Sequence, residues 1–185
     1  MRKVFLFMMV SLDGYFEGPD HDISWHNVDA EFNEFAIQQL GEIDTLLFGR
    51  RTYELMASYW PTEAALSDDP VVAGLMNNAS KLVFSRTLQK VEWNNSRLAN
   101  PDTIQEIRHQ KNLPGKDLAI FGSSDLATSL AQNGLIDEFR IMVAPVLLGD
   151  GKALLQGLHG LLGLRLIKTK TFNNGNVLLY YQPGR

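Results

Sequence analysis

The sequence predicts an α/β fold with a mixed, mostly parallel sheet, and three features of the chain support this class. Short apolar runs alternate with segments in which apolar residues recur at helical spacing through the first three quarters of the chain. Such alternation is typical of parallel strands joined by right-handed helical crossovers. The last quarter instead holds two β-rich segments separated by Asn173-Asn174-Gly175, a strong hairpin signal. We therefore expect a C-terminal antiparallel hairpin at one edge of the sheet.

The first part of the chain predicts two strands and two helices in alternation. Val4 to Val10 is an unbroken apolar run, which favours a strand that is covered on both faces and central in its sheet. A helix is expected from Asp29 to Gly41, with apolar residues at helical spacing: Phe32, Phe35, Ala36 and Leu40. Thr45 to Phe48 is the second strand, and a second helix follows through Tyr53 to Ala57.

The middle of the chain predicts a third strand between two further helices. Asp69 to Asn78 predicts a helix, Lys81 to Phe84 predicts a strand, and Val91 to Ala99 has room for another short strand. Asn100-Pro101 places a good N-cap before a proline at the first helical position. We expect a helix that begins there and runs to about Lys111.

The remaining elements complete the sheet. Leu118 to Phe121 predicts a strand, and the helix after it ends at Gly134. Its apolar face is formed by Leu126, Ala127, Leu130 and Ala131. Phe139 to Ala144 predicts a further strand, and Leu164 to Phe172 with Asn176 to Tyr181 predict the closing hairpin. We expect one domain, 1–185.

Composition and charge restrict the classes of function. With 185 residues and 45% hydrophobic content, the chain can fill one core. It contains no cysteine, which excludes disulfides, thiolate metal sites and thiol nucleophiles. A net charge of −4 argues against non-specific binding of nucleic acid or of a membrane surface. The N-terminal apolar run lacks a signal-peptide cleavage site, and no run approaches the ~20 residues of a membrane span, so we expect a cytoplasmic protein.

Glycines and polar residues gather at the carboxyl ends of the predicted strands, where open α/β sheets bind their ligands. Four such corners are present: Ser11-Leu12-Asp13-Gly14, Gly49-Arg50-Arg51-Thr52, Ser85-Arg86-Thr87 and Gly122-Ser123-Ser124. Glycine allows close backbone approach, and a helix that begins at a corner directs N–H groups at an anion, so two of these corners predict a pyrophosphate site. Ser85 with Arg86 predicts a 2′-phosphate contact, and hence NADP rather than NAD. Taken singly, Arg50 and Arg51 fit a solvated helix face equally well.

Other classes of site are disfavoured. The dinucleotide fingerprint Gly-x-Gly-x-x-Gly follows none of the predicted strands, and Gly149-Asp150-Gly151-Lys152 lacks the remaining residues of a P-loop. None of the four histidines pairs at metal-ligand spacing, so no metal is predicted. Ser123-Ser124 is not part of a Gly-x-Ser-x-Gly turn, which argues against a hydrolase.

Five motifs follow one another along nearly the whole chain: Ser11 to Gly14, Leu47 to Glu54, Phe84 to Arg86, Ile120 to Ser123 and Ala144 to Gly151. Their residues and order resemble the dihydrofolate-reductase-like superfamily, in particular the branch with the reductase domain of the riboflavin-biosynthesis deaminase-reductase. The resemblance implies a three-layer sandwich with helices on both faces of the sheet. It also implies an NADPH-dependent reductase of a small pterin-like or pyrimidine-like ring, similar to 5-amino-6-(5-phosphoribosylamino)uracil reductase.

The resemblance further implies roles for the corner residues. The turns Gly49 to Thr52 and Gly122 to Ser124 would hold the phosphates, and Ser85 with Arg86 would contact the 2′-phosphate. Three residues of the first corner would border the nicotinamide: Val10, Ser11 and Gly14. The substrate residues of a true dihydrofolate reductase are not matched, so the substrate stays open.

A carboxylic acid near the reacting ring is expected, because hydride transfer leaves charge that a proton must quench. In dihydrofolate reductase this acid lies on the first helix, where the present chain has Asp29 and Glu31. Asp29 ranks first because it is nearer the substrate side, and Asp13 is a third candidate. Structural roles are open for all three, because acids favour the first turn of a helix and Asp-Gly favours a turn.

Two questions about the whole protein are left open by the sequence. The alternative to an active reductase is a non-catalytic domain that binds NADP(H) or another nucleotide, or acts as a sensor. A homodimer is expected from the resemblance and from the apolar C-terminal hairpin, whose edge needs a cover.

Overall fold

The computed structural model describes residues 1–184. The strands in these residues are β1 (Val4–Ser11), β2 (Tyr15–Glu17), β3 (Ile43–Gly49), β4 (Ser80–Phe84), β5 (Ser96–Leu98), β6 (Asp117–Phe121), β7 (Glu138–Ala144), β8 (Lys152–Ala153), β9 (Leu164–Thr171) and β10 (Val177–Pro183). The α-helices are α1 (Ala30–Gly41), α2 (Arg50–Tyr59), α3 (Glu63–Asp68), α4 (Pro70–Asn78), α5 (Thr103–Asn112) and α6 (Ser124–Gln132). Eight strands form one sheet in the order β5-β4-β3-β6-β1-β7-β10-β9, and β2 pairs with β8 separately.

Strand β1 lies inside the main sheet, as its unbroken apolar sequence predicts. It pairs in parallel with β6 on one side and with β7 on the other. Its side chains alternate between the two faces, so that Leu6 and Phe5 belong to different core clusters, and both are buried. The strand β10 runs antiparallel to its neighbours β7 and β9. The predicted class, a mostly parallel sheet with an antiparallel C-terminal hairpin, is confirmed.

Helices cover both faces of the sheet. Ile107 of α5 and Leu130 of α6 pack into the cluster that contains Leu6. Leu40 of α1 and Val72 of α4 pack on the opposite face, in the cluster that contains Phe5 and residues of α2. The result is the three-layer sandwich that the resemblance implied. None of the helices described is long and apolar enough to cross a bilayer.

Helix α5 begins later than the sequence predicted. Its N-cap is Asp102, whose carboxylate accepts a hydrogen bond from the backbone N–H of Gln105 at 3.0 Å. The side chain of Asn100 instead accepts from the backbone N–H of Asp102, which forms a turn before the helix. The prediction of a start at Asn100-Pro101 was therefore wrong, because a second good N-cap two residues later captures the helix end.

Three short elements were not predicted from the sequence: β2, β8 and α3. Strand β2 pairs with β8 in antiparallel fashion, and Glu17 lies opposite Lys152. This pairing ties the segment that follows β1 to the segment that follows β7. It holds Phe16 and Glu17 close to the carboxyl ends of the central strands, where they take part in the site described next.

Candidate active site

Two adjoining cavities open at the carboxyl ends of the parallel strands. The larger, which we call the polar cavity, has a volume of about 800 Å³. Its walls include the corners after β3, β4 and β6, in particular Gly49, Arg50, Arg51, Thr52, Ser85, Arg86, Ser123 and Ser124. These neighbouring parallel strands all end at the same edge of the sheet. Segments that are distant in the sequence therefore lie side by side here, as expected for an open α/β sheet.

The smaller cavity, which we call the apolar cavity, has a volume of about 270 Å³. Its walls come mainly from β1, α1, α2 and α4, and include Phe7, Met8, Ile23, Phe32, Leu55, Met56 and Trp60. Four residues line both cavities: Phe16, Glu17, Thr52 and Ser123. A ligand in one cavity can therefore contact a ligand in the other.

The helix ends at the polar cavity differ from the other helix ends of the fold. Four of the six helices in residues 1–184 have an N-cap side chain that accepts a backbone hydrogen bond: Asp29, Thr62, Asp69 and Asp102. The two without such a cap are α2 and α6, which begin after Gly49 and Ser123 at the wall of the polar cavity. The first N–H groups of a helix need acceptors, and an anion such as a phosphate is a suitable one. The polar cavity thus presents two helix N-termini with free donors.

A pair of hydrogen bonds holds these two helix ends together. The hydroxyl of Ser123 accepts from the backbone N–H of Gly49 at 2.9 Å, and the hydroxyl of Thr52 accepts from the backbone N–H of Ser123 at 3.0 Å. Gly122 has φ +69°, and a Cβ there would lie 3.0 Å from Cγ2 of Thr52. A glycine is therefore required where the two corners meet.

The charged side chains of the polar cavity are mostly basic. Three of its four basic residues contact another side chain: Arg50 with Glu54, Arg51 with His21, and Lys152 with Asp125. Arg86 is exposed and makes no hydrogen bond or ion pair within the described part of the chain. Its guanidinium is available to an anion at the end of the cavity beside β4.

Not all of the predicted cofactor residues line the polar cavity. Gly122 lines the apolar cavity, and three residues line neither: Val10, Ser11 and Gly14. Ser11 is buried, and its hydroxyl accepts from the backbone N–H of Tyr15 at 3.0 Å. These three residues therefore do not line either cavity, and their contact with the nicotinamide stays a prediction.

The three predicted acids also lie outside both cavity walls. Asp29 caps α1 by accepting from the backbone N–H of Phe32 at 2.9 Å. Glu31 accepts from the backbone and side-chain nitrogens of Asn173, at 2.9 and 3.0 Å, and so ties α1 to the hairpin turn. Asp13 accepts from the backbone N–H of Gly149 at 2.7 Å. Each carboxylate has a structural partner, and the structure brings none of them to the site.

Asp13→Asn is expected to destabilise the protein at neutral pH, with a loss that shrinks in acid. Hydrogen bonds from Ser11 and Gly149 lower the pKa of Asp13 from 3.8 to about 2. A carboxylate whose pKa is lowered on folding stabilises the fold above its unfolded pKa, and this stabilisation is lost as the pH falls through the folded pKa. Urea denaturation of both proteins between neutral pH and about pH 2 measures the difference. Asp68→Asn is the control, because Asp68 is exposed and makes no hydrogen bond among residues 1–184.

Both ionisable residues of the apolar cavity, among the residues described, were missed by the sequence predictions. Glu17 lines both cavities, and its side chain is only 16% exposed. Its carboxylate contacts Nδ1 of His21 at 2.9 Å. His26 lines the apolar cavity, and burial lowers its pKa. Both lie between β1 and α1, Glu17 at the end of the short strand β2 and His26 in the loop that follows, where the only sequence signal was the density of titratable residues.

Comparisons with known proteins extend this picture. A family model described as the RibD C-terminal domain matches residues 2–178. Uncharacterized protein YyaP of Bacillus subtilis is 33% identical over 182 residues, which cover 97% of this chain and 94% of that protein.

Two solved structures share the fold. One is a diaminohydroxyphosphoribosylaminopyrimidine deaminase/5-amino-6-(5-phosphoribosylamino)uracil reductase from Thermotoga maritima, with a TM-score of 0.71 and 15% identity over 99% of this chain and 57% of that one. The other is dihydrofolate reductase from Enterococcus faecalis complexed with NADP(H) and RAB-propyl, with a TM-score of 0.67 and 14% identity over 99% of this chain and 97% of that one. At these identities the likeness establishes the fold.

Proposed function

The chain belongs to the RibD C-terminal domain family, and we propose that it is an NADPH-dependent reductase of a small heterocyclic compound. One observation carries the proposal. The only two α-helices of the described chain without a side-chain N-cap begin side by side at the polar cavity, and an apolar cavity adjoins it. The first feature suits a pyrophosphate, and the second suits a flat ring.

The residues of the polar cavity fit NADPH. The backbone N–H groups at the N-termini of α2 and α6 would donate hydrogen bonds to the pyrophosphate oxygens. Ser85 and Arg86, which lie at the same wall, would contact the 2′-phosphate. The resemblance to a dihydrofolate reductase that binds NADP(H) supports this choice of cofactor. When bound, NADPH supplies the hydride.

The residues shared by the two cavities would serve the reaction itself. Phe16 and the apolar walls would exclude water and fix the plane of the ring. Among residues 1–184, Glu17 is the only carboxylate that lines the apolar cavity, so we assign it the delivery of the proton that accompanies hydride transfer. Asp29, Glu31 and Asp13 keep their structural partners in this proposal.

Arg86→Ala is expected to weaken NADPH binding by roughly 10- to 100-fold, since a hydrogen bond to a charged group contributes about 1.5–3 kcal/mol. Binding of NADH, which has no 2′-phosphate, is expected to change less than about two-fold. Calorimetric titration of both cofactors measures the two affinities. Arg165→Ala is the control, because Arg165 is an exposed residue of β9, outside both cavity walls. Equal affinity for both cofactors in the native protein would remove the 2′-phosphate assignment.

One observation favours a second function, a non-catalytic domain that binds NADP(H). The three acids predicted to donate the proton have structural partners instead. An assay of NADPH oxidation with pterin-like and pyrimidine-like compounds, including 5-amino-6-(5-phosphoribosylamino)uracil, separates the two functions. Turnover supports the reductase, binding of NADPH without turnover of any compound supports the second function, and the absence of NADPH binding contradicts both.

We also propose that the protein forms a homodimer through the edge strand β9. Three apolar residues on this strand are between 40% and 50% exposed: Leu164, Leu166 and Ile167. An unpaired edge with exposed apolar side chains favours association. Light scattering is expected to give twice the mass of one chain, and Leu166→Lys is expected to give a monomer. Leu113→Lys, at a partly exposed position at the end of α5, is the control. A native protein with the mass of a single chain would contradict this proposal.

A further inference from the structure

The two cavities differ sharply in charge. The polar cavity has four basic residues on its wall: Arg50, Arg51, Arg86 and Lys152. The wall of the apolar cavity, among the residues described, contains no lysine and no arginine. Its only ionisable side chains are Glu17 and His26. Any positive charge at the site is therefore confined to the cavity that would hold the cofactor.

The apolar cavity is poorly suited to a phosphorylated substrate. A phosphate that leaves water without a cationic partner loses far more solvation than apolar walls can return. Glu17 would add repulsion, because its carboxylate lies at the boundary of the cavity. The volume of about 270 Å³ is close to the lower end of the ~300–1,000 Å³ of most ligand pockets. A single flat ring system fits these limits better than a ring with a sugar phosphate.

His26 is one of the few polar residues on this mostly apolar wall. Its Nε2 is buried and makes no hydrogen bond within the described residues. Burial lowers the pKa of the imidazole against the opposing effect of Asp22, which favours the neutral ring. Buried polar nitrogens are nearly always paired, and a ligand in the cavity would supply the partner that Nε2 lacks once the ring turns this atom towards the cavity. The two amide side chains of the wall already have partners: Asn33 donates to Asp69 at 2.6 Å, and Gln39 accepts from Nη1 of Arg140 at 3.3 Å.

We propose that the substrate is an uncharged, unphosphorylated planar heterocycle whose polar edge makes a hydrogen bond with Nε2 of His26. This inference rests on the proposed reductase function, because it identifies the apolar cavity as the substrate site. It separates this chain from the 5-amino-6-(5-phosphoribosylamino)uracil reductase activity named for its Thermotoga maritima structural relative. The ring would lie between Phe16 and the apolar residues of α1 and α2, with Glu17 at its side towards the polar cavity.

The first experiment compares matched pairs of compounds that differ only in an anionic group. The pairs are 5-amino-6-(ribosylamino)uracil with its 5′-phosphate, and pterin with 6-carboxypterin. Binding is measured by calorimetric titration, with and without NADPH. The uncharged member of each pair is expected to bind at least about 10-fold more tightly. Equal or tighter binding of the anionic members, or no binding of either uncharged compound, would overturn the proposal.

A positive charge introduced into the wall of the apolar cavity tests the same proposal from the side of the protein. Leu55 lines the apolar cavity and is 52% exposed, so an arginine there can reach both the cavity and solvent. Leu55→Arg is expected to shift the preference within each pair towards the anionic compound by about 10-fold. Leu66→Arg is the control, because Leu66 is similarly exposed at 45% but lies outside the cavity wall. An identical preference in Leu55→Arg and in the native protein would contradict the assignment of the cavity.

The role of His26 is tested by replacing its ring nitrogens. His26→Phe keeps a planar ring of similar size and is expected to weaken binding of pterin by about 10-fold. His26→Gln restores a polar atom and is expected to recover most of this loss, which a purely structural role would not allow. NADPH affinity is expected to be unchanged in both variants. If the native protein does not bind NADPH, the proposed reductase function is refuted. The titration with pterin in the absence of cofactor would still test the proposed substrate class.

Discussion

Glu17→Gln is expected to lower kcat for NADPH-dependent reduction by about 100-fold or more, because general acid catalysis contributes ~10²–10⁴-fold. Glutamine keeps the size and the hydrogen-bonding atoms of the side chain but cannot deliver a proton. Glu17 lines both cavities, so a ring in the apolar cavity and a cofactor in the polar cavity would both lie within its reach. The Kd for NADPH, measured by calorimetry, is expected to change little, which separates the loss of proton delivery from a loss of binding.

Asp29→Asn is the matched control for this experiment. Asparagine is as good an N-cap as aspartate, so the hydrogen bond to the backbone N–H of Phe32 survives the substitution. If Asp29 only caps α1, kcat stays near that of the native enzyme. A large fall of kcat in Asp29→Asn, together with full activity of Glu17→Gln, would return the proton to the acid that the sequence favoured.

The polar cavity is the part of the site that could be predicted from the sequence. Gly49, Ser85 and Ser123 follow strands whose apolar patterns are unambiguous, and neighbouring parallel strands must end at one edge of the sheet. Their convergence at the polar cavity follows from the order of the elements alone. The fold class was predictable for the same reason, since burial on both faces of β1 and β3 leaves a clear pattern in the chain.

The apolar cavity could not be predicted in this way. Glu17 and His26 lie in the segment between β1 and α1, where no regular spacing fixes the direction of a side chain. Asp29 was favoured because it lies at the start of the first helix on the substrate side, but a carboxylate at a helix start already has a local partner in the free N–H groups of the first turn. A capping role and a catalytic role both place an acid at the start of this helix. The sequence therefore cannot show which of the two roles Asp29 has.

The predicted start of α5 differs from the observed one because two nearby residues are equally good N-caps. Asn100 and Asp102 are both strong N-caps, and Pro101 fits the first helical position only for the earlier of them. In the structure Glu106 accepts a hydrogen bond from Nη2 of Arg97 at 2.7 Å, a contact between β5 and the helix. Local preference alone does not distinguish two adjacent caps, so the boundary depends on such tertiary contacts.

Gly151→Ala is expected to lower the free energy of unfolding by about 3 kcal/mol or more, because it combines backbone strain with overpacking. Gly151 has φ +145°, and a Cβ there would overlap the backbone carbonyl oxygen of Glu17 and lie 3.1 Å from Cα of Gly18. These atoms are backbone and cannot rotate away, so β2 must shift from its partner β8. Urea denaturation measures the loss. Because β2 carries Glu17, the surviving folded protein is also expected to lose most of its reductase activity.

Gly149→Ala separates the overlap from the general cost of a left-handed residue. Gly149 has φ +74°, and a Cβ there would meet nothing within 4 Å, so only the backbone penalty of about 1–2 kcal/mol applies. Gly149→Ala is therefore expected to keep its NADPH-dependent activity, which depends on the position of Glu17. Equal losses of kcat in the two variants would show that the contact between Gly151 and Glu17 does not fix the position of the carboxylate. Selective loss of kcat in Gly151→Ala would instead connect the β2–β8 pairing to the chemistry.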